Sequence, residues 1–303
     1  MQHVVGDMDR VIERWNAAIA DVLARVDATL ADASAGSQAV IAHIGSDLAP
    51  LMQPWAVVEH QMHQYREQIA QTWNRISDEF SEVRDLPEGV MWREGGKRNW
   101  TTNEIEIRHK RAYRLAVGAA ADVMRHRALQ ADAHDRRCRQ CGALLDRIRL
   151  SGLALNVECG YCRAVNTIEP GRELRMFAAV GAMALAERQA LDLWEAMTRT
   201  LNQINSYRDR NDVPLGLLQQ YERLGRGYWT TRVTAEADYA PEQRPNAPQK
   251  IDSYMKNVHK TLRQHWQWRQ FAAGPEAPIQ SLGNRLARCT KEVTVSGPGS
   301  RPS

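Results

Sequence analysis

Across residues 5–26 the chain repeats apolar side chains at alternating steps of three and four: Val5, Met8, Ile12, Trp15, Ile19, Val22 and Val26. That spacing puts all of them on one stripe of an α-helix, whereas a half-buried strand would alternate every second residue. Leu23 and Leu30 widen the stripe beyond the seam of a two-stranded coil, so it also suits a bundle. The pattern predicts a helix over about 4–33, a break at Ala35-Gly36-Ser37, and a short helix over about 37–48. A second stripe runs through Trp55, Val58, Met62, Tyr65 and Ile69 and continues in Trp73, Ile76, Phe80 and Val83. Pro50 and Pro54 bracket its start, and Pro87 and Gly89 stop it near Asp85. Two long helices with a short connection should lie antiparallel.

Residues 86–100, with two Trp and three Gly, read as a loop. Thr101 and Glu104 match the capping-box pattern, in which each side chain satisfies the other's free backbone N–H. A third helix is expected from there to about 134, with a small apolar middle at 115–121 that lets another helix come close. A fourth long helix is expected over 172–207, then a shorter one from Val213-Pro214, with a break at 225–229. Three prolines in 240–250 suggest a linker. A basic, aromatic helix is expected over 251–271, and 273–303 reads as a flexible tail.

Between the third and fourth helices stand Cys138, Cys141, Cys159 and Cys162, spaced C-x2-C-x17-C-x2-C. A two-residue gap lets both sulfurs of a pair turn toward one ion, and four thiolates suit a tetrahedral Zn²⁺. Gly142 follows the first pair and supplies backbone freedom, while Arg163 takes the matching place after the second. Leu153, Leu155 and Val157, and later Val165 and Thr167, alternate as short strands do. An iron or iron–sulfur site shares this ligand set. A redox pair is disfavoured because two matched pairs are present without a βαβ pattern.

This arrangement of knuckle, strand, knuckle, strand resembles the zinc-ribbon superfamily over residues 136–170. The resemblance implies a structural metal and a small β unit, and leaves the function open between nucleic-acid, enzyme and protein-contact roles. The expected architecture is therefore mainly α: long antiparallel helices in a bundle with a small inserted β zinc ribbon. Residues 1–135 form a helical hairpin plus third helix, 136–170 the insertion, and 171–272 the helices that complete the body.

Charge is distributed unevenly. Residues 1–92 carry 6 basic and 14 acidic side chains, a net of −8, against +12 for the remainder. The acidic hairpin is thus expected to contact the basic remainder. No run approaches the ~20 apolar residues of a membrane span, and the N-terminus lacks a secretory pattern, so a cytoplasmic location is expected. Paired cysteines as metal thiolates fit that reducing compartment. Cys289 stands alone as a free thiol.

Weaker signals have plainer explanations. His60 and His63, beside Glu59 and Glu67, resemble a metal pair but fit a polar helix face. His126 and His134 precede the four cysteines, which already fill a site. His259, Lys260, Arg263, His265, Trp266, Trp268 and Arg269 interleave bases with aromatics. Such a pattern grips nucleic acid or docks a helix, and docking on the acidic hairpin is expected. No nucleophile elbow, phosphate loop, dinucleotide fingerprint or metalloprotease helix appears, so no enzyme is expected. The expected role is a scaffold or adaptor with a protein partner, or self-association through the helical seams. Nucleic-acid binding is the alternative.

Overall fold

The computed structural model describes residues 2–44, 47–83, 86–131, 137–145 and 151–273, with side chains from residue 8 onward. Within these the protein is mainly α, as the periodicities predict. Helix α1 (Gln2–His43) and helix α2 (Ala49–Glu82) form the expected hairpin. Their cross-contacts run in opposite order: Arg14 with Glu79, Arg25 with Gln68, Thr29 with Tyr65, and Ser37 with Trp55. Both stripes point inward. Trp15, Val22, Val26, Leu51, Trp55, Met62, Ile69 and Phe80 are all buried in one core.

Helix α3 (Val90–Ala131) closes a three-helix bundle, parallel to α1 and antiparallel to α2. The acidic hairpin does meet basic α3: Arg108 forks onto Asp27 at 2.7 and 2.8 Å, and Lys97 donates to Asn16 at 2.8 Å. The charge pattern is not one-way, because Arg66 of α2 pairs with Glu106 of α3 at 2.9 Å.

On its other side α3 carries the C-terminal helices. Helix α4 (Arg172–Met176) passes through a π-turn (Phe177–Gly181) into α5 (Ala182–Gln189) and α6 (Leu191–Asn205). Helix α7 (Leu215–Tyr239) packs on α5 and α6, and leads through a 3₁₀ turn (Pro241–Asn246) to α8 (Ala247–Leu262) and α9 (Trp266–Ala272). A two-stranded antiparallel sheet, β1 (Leu155–Glu158) and β2 (Val165–Ile168), pairs Leu155 with Ile168 and Glu158 with Val165.

Several expected breaks are absent. Helix α1 runs through Ala35-Gly36-Ser37, where Ser37 is buried, donates to the Ala33 carbonyl and accepts the Trp55 indole N–H. The expected loop over 86–100 is mostly helix, with α3 starting at Val90. Gly95 sits under Trp73, where an added Cβ would meet the indole at 3.0 Å. Thr101 and Glu104 are therefore interior: Thr101 bonds back to the Lys97 carbonyl, and Glu104 pairs with Arg108 and Arg199. Residues 225–229 continue α7, because Gly225 lets Val258 of α8 approach.

The expected linker over 240–250 is instead the 3₁₀ turn and the start of α8, while the expected helix over 172–207 is interrupted by the π-turn and at Ala190. The basic, aromatic helix over 251–271 breaks after Leu262, and it docks on α7 rather than on the hairpin. The tail beyond 273 and Cys289 lie outside the described residues.

The small stretch in α3 does what its composition suggests. Ala116, Ala120 and Ala121 are buried, and a Cβ on Gly118 would lie 2.6 Å from the Arg188 side chain of α5. Gly118→Leu should therefore lower stability by about 1–3 kcal/mol through overpacking. Urea denaturation of the two proteins checks this, with a lower midpoint expected.

Candidate metal centre

Each cysteine pair sits in a tight knuckle, and the two knuckles share one backbone pattern. In the first, the Cys138 N–H donates to the Ala143 carbonyl and the Gly142 N–H to the Cys138 carbonyl, at 2.8 and 2.9 Å. In the second, Cys159 donates to Ala164 and Arg163 to the Cys159 carbonyl, both at 2.9 Å. Closing this turn requires a left-handed residue after the second cysteine. Gly142 has φ 75° and Arg163 has φ 63°, the one positive φ on a non-glycine residue among the described residues. The departure from glycine at 163 thus leaves the symmetry intact at the cost of local strain.

The β1–β2 pairing and the bridge between Arg137 and Leu144 bring the two knuckles face to face. All four sulfurs then lie within 4.8 Å of one another. Cys138 Sγ is 3.5 Å from Cys162 Sγ, and Cys141 Sγ is 3.7 Å from Cys159 Sγ. Four sulfurs ~2.3 Å from a central ion would be separated by about 3.8 Å, so the cluster has the size of a tetrahedral thiolate site. Cys138 and Cys159 are buried while Cys141 is exposed.

The electrostatics fit a cation as well. The Cys141 and Gln140 N–H groups hold the Cys138 thiol well below its ordinary value, at about 6. The Cys162 N–H, then that of Tyr161, lowers Cys159 in the same way. Cys162 is pushed up to about 12: the Ala164 N–H pulls it down, but desolvation and the neighbouring sulfurs outweigh that. Thiolates so close repel one another, and a central positive charge removes the conflict.

Asn166 joins the two halves and carried no sequence signal beyond its place in a strand. It is buried, accepts the Arg139 N–H at 2.9 Å, and donates to the Ala164 carbonyl at 3.0 Å and to Cys138 Sγ at 3.5 Å. The neck of the module is held by contacts remote in sequence. Glu242 of the 3₁₀ turn accepts the Ser151 hydroxyl at 3.2 Å and the Gly152 N–H at 3.3 Å. Gly152 lies over the π-turn, where a Cβ would come within 2.5 Å of Ala178.

The other sequence candidates do not assemble. His60 lies 3.1 Å from Gln64, and His63 pairs with Glu67 at 3.2 Å on an exposed face. His126 contacts Gln130, while His134 lies outside the described residues. The four cysteines are the one potential metal cluster among the described residues. No helix of the described residues is long and apolar enough to cross a membrane. Compared with known protein families, curated proteins and solved structures, the chain matches none.

Asn166→Ala should weaken metal binding by about 10- to 100-fold, the usual consequence of removing a residue that orients a ligand. Competition with a chromophoric chelator measures this, and the helical circular-dichroism signal should not change.

Proposed function

We propose that this chain is a non-enzymatic helical scaffold or adaptor of the cytoplasm. In this reading it holds one structural zinc ion through Cys138, Cys141, Cys159 and Cys162 and acts through protein contacts. Zinc is favoured over iron because four thiolates fill its preferred tetrahedral shell and the site needs no redox chemistry. Four protein ligands leave no open position, so the ion would serve to hold the knuckles together. Zinc bound this way contributes on the order of 10–16 kcal/mol, which suits a β unit too small for a core of its own.

The observation that carries the reading is where the apolar surface lies. Leu144, Leu153, Tyr161 and Val165 of the ribbon are 59, 60, 84 and 68% exposed. They lie on one module of some thirty residues, and a concentration of exposed apolar side chains favours a contact role. The helical seams offer less: the inward side chains of α1 and α2 are already buried within the chain. The proposed contact surface is therefore the ribbon, and self-association would use it too.

Two measurements test this reading. Elemental analysis should find about one zinc per chain, lost in the Cys138→Ser, Cys141→Ser double variant; one iron in its place would overturn the zinc assignment. A photo-crosslinking residue at position 161 should capture a discrete protein in the native host, and one at exposed Val57 should not. Equal capture at both positions, or capture of nucleic acid alone, would overturn the protein-contact role.

A further inference from the structure

Folding sorts the basic, aromatic segment into two sets. His259, His265 and Trp268 turn inward. His265 Nδ1 lies 3.1 Å from the Arg210 carbonyl, Trp268 is buried and stacks on His259, and Met255, Val258 and Leu262 fill the core beneath. The other set faces solvent: Lys256, Lys260, Arg263, Trp266, Arg269 and Phe271 are all exposed.

The outward set is ordered. Lys256, Lys260 and Arg263 stand at i, i+4 and i+7, one stripe rising about 10 Å along the end of α8. Trp266 and Arg269 repeat the spacing on α9 at i and i+3. Trp266 is 47% and Phe271 50% exposed, so α9 carries two exposed rings within three residues of Arg269 in sequence, Phe271 also packing on Trp268 with ring centroids 5.4 Å apart. None of the four cations is ion-paired among the described residues, and the single acidic side chain in 251–273 is Asp252, at the far end of the stripe.

We infer that the face formed by the end of α8 and α9 binds single-stranded nucleic acid, its cations on phosphates and its rings stacked on bases. Charge complementarity selects a polyanion, since the cations have no acidic partner among the described residues. The rings select one with exposed flat faces, because bases of a single strand stack on Trp and Phe regardless of sequence. An anionic membrane fits less well. Interfacial helices present a continuous apolar face to lipid, and here that face of α8 is buried on α7. The surface is separate from the ribbon, whose neck is held by Glu242 at the opposite end of α8, about 24 Å away by helix rise.

The test is fluorescence anisotropy of labelled dT20 and U20 with the full zinc-loaded chain across a range of salt. Binding should weaken with salt, with a log–log slope of about −3 for four phosphate contacts. Lys260→Ala, Arg263→Ala and Arg269→Ala should each make the slope shallower by about 0.7. Trp266→Ala should weaken binding about 5- to 150-fold, and Trp266→Phe should restore most of it. Unchanged circular dichroism verifies folding. The inference is overturned by no binding at low salt, by binding indifferent to these variants, or by preference for phosphatidylserine vesicles or polyglutamate. Crosslinking at position 161 reads the ribbon alone, so either proposal can fail without the other.

Discussion

Helix α3 is buried on two sides, and the rest of the fold follows from how it disposes of its charges. The hairpin covers one side and helices α5 and α6 the other, and its Glu94, Glu104 and His109 are buried. Charges in that setting must be paired or leave the helix. Glu104 is buried and accepts a two-pronged contact from Arg199 of α6, at 3.0 and 3.1 Å, together with Arg108 of its own helix. Arg111 reaches Asp192 and Glu195 at 2.8 and 2.5 Å, and Arg188 reaches back to Asp122 at 2.5 Å. Each pair ties a C-terminal helix to α3, so this helix connects the hairpin to the rest of the body. The acidic hairpin meets a largely basic α3 on one side, while on the other the pairs run both ways, from Arg111 to Asp192 and Glu195 and from Arg188 and Arg199 to Asp122 and Glu104. Partly exposed pairs contribute little individually, and their main effect is to set which helix lies where.

This arrangement also explains where sequence reading succeeded. Long apolar stripes are local patterns, and α1 and α2 were legible from them because each buries a single face. Thr101 and Glu104 fit a capping motif equally well as sequence, and only tertiary burial distinguishes a cap from an interior pair. Glycine misled for a related reason. A helical glycine costs about 1 kcal/mol, which suggests a break, but close packing offsets that cost. Gly95 under Trp73 and Gly225 against Val258 are sites of helix approach, not of termination. The docking of α8 on α7 instead of on the hairpin was likewise set by contact of faces, which charge totals do not encode.

The metal centre divides along the same line. Its four cysteines were readable as a group that could hold an ion, because knuckle spacing is a local requirement of coordination. Asn166 was not, since its role depends on three hydrogen bonds that form only once both knuckles are facing. Glu242 and Gly152 were further out of reach, being joined across 90 positions of sequence. The π-turn that receives Gly152 holds a close contact of its own. Gly181 leaves room for the Phe177 ring, which would otherwise meet a Cβ at 2.6 Å.

These contacts attach the cysteine module to the helical body. Among the described residues, the three hydrophobic clusters of the body include none from 137–145 or 151–170. Glu242 and the Gly152 seat join the described part of the module to the body. A β unit of two four-residue strands buries little surface, and an ion held by the four sulfurs would add the order it lacks. This arrangement lets the module present Tyr161 and Val165 to solvent without exposing the main core. In the proposed reading the chain would carry two outer surfaces, one that depends on the metal and one, on α8 and α9, that depends on the helical body.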